Sequence, residues 1–190
     1  PSITVSGDES GAAAWNWQPP VVELAEDDVP EARRNAARAL SEGRLYAEAG
    51  DAIPLYLALQ AAAPEDTQVK RGLEKSLAAL LTQGDAALRD AGDSADALSR
   101  AGEIAAVART LAADDEKVVT YLARVDTADQ LWRLNAAGER ALRSGEIGER
   151  GEAALASFRE VLELQPGQSR ALQGLAATES ALIRRAEEAA

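Results

Sequence analysis

The 190-residue chain contains no cysteine, no histidine and no methionine, and only 4% of it is aromatic. Without cysteine or histidine it has no disulfide, no thiolate nucleophile, no zinc site of the usual nitrogen–sulfur type and no imidazole general base. No apolar run reaches the roughly 18 residues of a membrane-spanning helix. The lack of methionine leaves the sequence without an initiator, as expected of a piece excised or processed from a longer protein. Residues that suit strands are sparse, so almost no sheet is expected.

What remains is 46% hydrophobic, mostly Ala and Leu, and 27% charged. Ala, Leu, Glu and Arg all favour helix, and this is the composition of packed helices. The net charge of −12 repels nucleic acid and anionic lipid at long range. The arginines alternate with acids and form no basic stripe. Neither a nucleic-acid partner nor membrane insertion of this segment is expected.

A short pattern recurs: ALSEG at 39–43, ALRDAG at 87–92 and ALRSG at 141–145. Nine residues after Gly43, Gly92 and Gly145 stand Ala52, Ala101 and Ala154. Four further on come Tyr56, Ala105 and Phe158, and then Leu59, Ala108 and Val161. Pro64, Ala113 and Pro166 follow, then Val69, Val118 and Ala171, then Leu73, Leu122 and Leu175. The units are spaced by 49 and 53 residues, and the first and third match without a gap at an offset of 102. Each unit reads as helix–turn–helix. The glycine closes the first helix in the left-handed conformation. The small alanine lets the second helix approach closely, and the aromatic fills the space beside it. The proline ends the unit. Such a unit cannot bury its apolar stripe alone, so neighbouring units stack.

This pattern resembles the tetratricopeptide repeat family. Ala36, Gly43, Ala52, Tyr56 and Pro64 take the motif's places in the first unit, and Gly138, Gly145, Ala154, Phe158 and Pro166 in the third. The middle unit is degenerate, with Gly84, Ala101, Ala105 and Ala113. The resemblance covers about residues 30–188. Family units repeat every 34 residues, whereas these are longer, with the excess placed in the turn after each glycine and in the first half of each leading helix. The fold it implies is all-α: a right-handed superhelix of about three stacked antiparallel hairpins plus a C-terminal helix.

Two segments follow. Residues 1–28, rich in Ser, Gly and Pro, read as extended or disordered, and residues 29–190 as the helical repeat domain. Asp28, with Glu31 three residues later, predicts a capped helix start. The apolar spacing predicts one long helix from about 66 to 90, with a break at Gln83–Asp85 as the alternative. Ser94 is expected to cap a helix over 95–112, and Asp114 or Asp115 the long helix after it. Further helices are expected over about 150–164 and 168–188.

Candidate sites are few. Trp15 and Trp17 sit in a Pro/Gly-rich tail that ordinarily holds no tryptophan. They form a docking segment for the protein's own helices or for a partner, since Trp is enriched in binding hot spots, or else they pack casually on the first hairpin. Trp132, Asn135, Glu139 and Arg143 share one helical face. By the family resemblance they line a groove together with Arg89 and Arg33, where Arg meets a partner carboxylate. The competing reading puts Trp132 in the core and leaves the others solvated. Asp90, Asp93 and Asp96 lack calcium-loop spacing, and turn and cap chemistry accounts for them. The acidic clusters at 26–28 and 114–116 complement helix dipoles. GERGE at 148–152 matches no phosphate loop. No catalytic residue, metal or cofactor is expected. The expectation is a protein–protein interaction scaffold that binds another protein or a peptide segment. The alternatives are a docking arm of an enzyme whose catalytic domain lies outside this chain, and a structural or oligomerising spacer. The Ala-, Arg- and Gly-rich usage points to a bacterium of high GC content. The lack of cysteine points to the periplasm or envelope, with the cytoplasm left open.

Overall fold

The computed structural model describes residues 3–5, 13, 15–148 and 153–189. Seven α-helices are found among them: α1 (Val29–Ser41), α2 (Ala52–Ala62), α3 (Thr67–Asp90), α4 (Ala95–Ala112), α5 (Glu116–Ser144), α6 (Ala154–Leu164) and α7 (Ser169–Glu188). The fold is all-α. Among the described residues its one sheet is a two-stranded antiparallel ribbon of β1 (Ile3–Val5) and β2 (Trp15–Trp17), with Ile3 opposite Trp17. α1 pairs with α2, α3 with α4 and α5 with α6. Each even-numbered helix also packs on the next odd one, and each odd one on the next odd one.

The helix starts follow from side chains that satisfy otherwise unpaired N–H groups. The Asp66 carboxylate accepts from the N–H of Gln68 at 2.8 Å and of Val69 at 3.4 Å. Asp115 does the same for Lys117 and Val118, at 2.8 and 3.3 Å. Ser94 caps α4 through Ala97 N–H at 3.2 Å. Asp28 departs from expectation and makes no capping bond. A 3-10 turn over Glu26–Asp28 already runs into α1, so its backbone is helical and no capping box with Glu31 forms. α3 continues unbroken through Gln83–Asp85. α6 begins at Ala154, later than expected, and most of GERGE, residues 149–152, lies outside the described residues.

Gly43 and Gly145 are left-handed, with φ of 72° and 80°. Behind them, the N–H of Arg44 bonds to Ala39 and that of Glu146 to Ala141, each at 2.9 Å. Gly92 does not repeat this closure. α4 follows α3 after only residues 91–94, and that tight turn is tied by the N–H groups of Asp93 and Ser94 to the carbonyl of Asp90. The alanines placed nine residues on, Ala52, Ala101 and Ala154, are all fully buried.

The 102-residue offset extends to individual bonds. Ser76 donates to the Gly72 carbonyl at 2.8 Å, and Thr178 to that of Gly174 at 2.7 Å. Gln83 reaches the Gly43 carbonyl at 2.9 Å, and Arg185 that of Gly145 at 3.5 Å. Tyr56 covers Gly72, and Phe158 lies between Gly138 and Gly174; a Cβ on any of these glycines would overlap the ring. The middle junction is filled from the opposite side. Ala105 stands where the other units have Tyr56 and Phe158, and Tyr121 of α5 lies across Gly84 instead. The middle unit is complemented rather than degraded.

Each long helix therefore serves two junctions at separate levels. α3 receives Tyr56 at Gly72 and Tyr121 at Gly84, twelve residues or about 18 Å along its axis. α5 contributes Tyr121 and then receives Phe158 at Gly138, about 26 Å further on. The length beyond a 34-residue unit lies largely here. It also divides the interior. One core joins α1–α4 to the first half of α5, as far as Val125. The other joins the second half of α5, from Leu131, to α6 and α7 around Phe158.

Candidate functional site

The odd-numbered helices form a continuous surface with two clefts. One, of about 440 Å³, lies between α1 and α3 and includes Gln68, Arg71 and Lys75. The other, of about 490 Å³, lies between α3 and α5 and is lined by Ala78, Thr82 and Asp85 opposite Glu116, Lys117, Thr120 and Arg124. On α3, Gln68, Arg71, Lys75, Ala78, Thr82 and Asp85 follow one another at steps of three and four residues, which places them on one helix face. A single stripe of α3 thus joins the two clefts. Arg124 is paired with Asp85 across the second.

Charge is unevenly divided. The four odd-numbered helices carry fifteen of the chain's 20 cationic residues but only eleven of its 32 acidic ones. They hold a surplus of positive charge inside a protein of net charge −12. The acids are concentrated in the connections and the N-terminal segment.

The residues expected to line a groove are only partly brought together. Trp132 and Glu139 meet on α5, but both are engaged by Arg170 of α7, a residue that no sequence pattern marks. The Arg170 guanidinium carbon lies 4.2 Å from the Trp132 ring centroid, a cation–π contact. The same side chain forms a two-pronged pair with Glu139, at 2.6 and 3.0 Å. This hydrogen bonding, aided by the positive charges of Arg170 and Arg143 and partly opposed by burial, holds the Glu139 carboxyl below its ordinary range. Arg143 is exposed one turn on. Asn135 points the other way. It is wholly buried, donates to the Leu131 carbonyl of its own helix at 3.0 Å, and its amide oxygen finds no partner. It cannot reach a ligand, because its position faces the α5–α6–α7 core. Arg33 is paired with Asp66 at the start of α3, and Arg89 is exposed on the last turn of that helix. Neither joins the Trp132 cluster.

The N-terminal tryptophans are docked within the chain. Trp17 is buried, and the Trp15 ring occupies the space where Gly102 of α4 lacks a side chain. Arg109 donates to the Trp15 carbonyl, and the Thr110 hydroxyl, which donates to the Ala106 carbonyl of its own helix at 2.9 Å, lies 3.5 Å from that of Trp17. Nearby, Tyr46 faces Glu103 of α4 at 3.4 Å. Burial, reinforced by the Glu103 charge, pushes its phenol up to about 12.

No helix among the described residues is long and apolar enough to cross a membrane. Comparison with protein-family models, curated proteins and solved structures finds no match to this chain.

Proposed function

We propose that the chain is an interaction scaffold of the tetratricopeptide-like kind, whose odd-helix face receives an extended, acidic segment of another protein. The observation that carries this reading is the surplus of positive charge on helices that also form the two joined clefts. Arg71 and Lys75 stand along the first, and in the second Lys117 and Arg124 are balanced by Glu116 and Asp85, with Leu40 and Leu81 supplying apolar floor. Long-range repulsion by the rest of the molecule disfavours non-specific anions, while local charge complementarity favours a segment seated along α3. The right-handed superhelix and an envelope location belong to the same reading, as does membership of a larger bacterial protein.

The test is selection from a displayed library of unstructured 12-residue peptides. Acidic sequences are the expected enrichment on the native chain, lost on the Arg71→Glu/Lys75→Glu variant. Enrichment with no acidic bias contradicts the reading.

A second reading, an oligomerising spacer, has one specific support. Leu182 and Ile183 of α7 are 38% and 60% exposed, whereas Leu80 and Leu81, 102 residues earlier on α3, are buried or partly buried. Sedimentation that stays monomeric across a hundredfold concentration range removes that reading.

A further inference from the structure

α4 packs two of its faces on α3 and α5, and β2 covers a third. The middle of the helix is apolar all round: Ile104, Ala105, Ala106, Val107 and Ala108 are five consecutive buried residues. A helix of that kind must be covered on every side. What covers the third side is not another helix but three residues of extended chain, Trp15-Asn16-Trp17.

The contact has the parts of peptide recognition. Gly102 opens a slot that the Trp15 ring fills. Trp17 inserts two residues on, as the alternation of an extended strand requires. Arg109 holds the carbonyl oxygen of residue 15, a group that any peptide offers. The segment that follows, residues 18–25, has no regular structure, and its Val21 is 86% exposed. The fit is imperfect at one atom, because the indole N–H of Trp17 is buried without a hydrogen-bond acceptor.

We propose that this face of α4 is a binding site for an extended segment with aromatic side chains at positions i and i+2, and that residues 15–17 are its resident, exchangeable ligand. The site is separate from the odd-helix clefts and does not rest on their function. Two anchors set its specificity, the slot at Gly102 and the pocket of Trp17. The second is better filled by a ring without an N–H group, because a buried unpaired donor weakens binding.

The test uses the full chain and a fluorescein-labelled peptide of residues 12–20, with anisotropy as the readout. The Trp15→Ala/Trp17→Ala chain is expected to bind the peptide at least about tenfold more tightly than the native chain, whose tethered strand competes at high effective concentration. Adding Gly102→Leu to that variant abolishes binding. A peptide with Phe in place of Trp17 binds about fivefold more tightly than the native peptide. A double variant that keeps its helical circular dichroism yet ignores the peptide overturns the proposal. If the variant loses its fold, hydrogen exchange on the native chain decides the matter. Exchange at residues 15–17 through a local opening, insensitive to low urea, supports an exchangeable strand. Exchange there only by global unfolding makes the strand a fixed part of the core and overturns the proposal.

Discussion

Tyr121 of α5 lies across Gly84 of α3 and donates its hydroxyl hydrogen to the Ala101 carbonyl of α4, 3.0 Å away. One side chain thereby joins three helices at the point where the other two junctions rely on Tyr56 or Phe158. Truncation to Ala should cost about 3–5 kcal/mol, as for other large aromatic deletions in cores. Tyr121→Phe should cost about 1 kcal/mol, the net worth of the hydroxyl's bond to a carbonyl that keeps its helical partner. The sharper expectation concerns the swap. Tyr121→Gly with Ala105→Phe rebuilds the arrangement of the outer junctions and should recover more than half of the loss of Tyr121→Gly alone. Urea denaturation of the four variants measures this. Strict additivity of the two substitutions means that the junctions are not equivalent.

The two cores share α5 and divide along it between Val125 and Leu131. Phe158→Ala removes the centre of the smaller one and should destabilise it by about 3–5 kcal/mol. Repeat arrays lose cooperativity when one interface is weakened. The variant should therefore unfold in two steps, with α6 and α7 first and Tyr121 unaffected until the second. Fluorescence of Trp132 against that of Trp15 and Trp17, in single-tryptophan backgrounds, follows the two cores separately. A single coincident transition argues against the division.

Asn135 offers a test of where the third unit keeps its polar atoms. Its buried amide oxygen has no partner, so Asn135→Leu, of similar volume, should stabilise the chain by about 1 kcal/mol. Loss of stability upon that substitution means that the amide oxygen is satisfied in solution.

The tyrosines set the alkaline limit. Burial is the main cause that raises all three phenols above 10, with Tyr46 at about 12. Below pH 10 the phenols are neutral in both folded and unfolded chains. Above it the unfolded chain loses protons first, so stability falls as the pH rises from 10 through about 12. Glu139 acts in the opposite direction. Its lowered carboxyl contributes stability above 4.5, lost as the pH falls through the lowered value. Absorbance at 295 nm should show no tyrosinate step from Tyr46 or Tyr121 near pH 10 while the helices persist. Such a step in the folded chain contradicts the burial of these rings.

Much of this fold is written locally. The caps at Asp66, Ser94 and Asp115, the left-handed Gly43 and Gly145, and the buried Ala52, Ala101 and Ala154 all follow from spacing and short-range chemistry. The exchange of aromatic from Ala105 to Tyr121 does not. It depends on a contact between helices that only the packed junction reveals, although Tyr121 stands 49 residues after Gly72, the spacing of the units themselves. The surplus of charge on α1, α3, α5 and α7 is hidden for a similar reason, because these helices alternate along the chain with acidic connections. Asn135 shares a helical face with Trp132 by count. On a helix whose two halves serve different cores, one-turn spacing does not settle which residue faces inward. Arg170 was out of reach because its partners lie on another helix, 31 residues away in the case of Glu139.

In the proposed function, positive charge on the odd-helix face recruits an acidic segment. The direct measurement is the affinity of an acidic, unstructured peptide for two variants of identical net charge. Arg71→Glu/Lys75→Glu reverses the cleft, and Arg100→Glu/Arg159→Glu reverses two cations on α4 and α6. The account predicts a loss of about tenfold or more for the first variant and less than about threefold for the second, at an ionic strength where unspecific attraction is screened. Equal losses in the two variants would contradict it, because the peptide would then be reading the net charge of the molecule and not the clefts along α3.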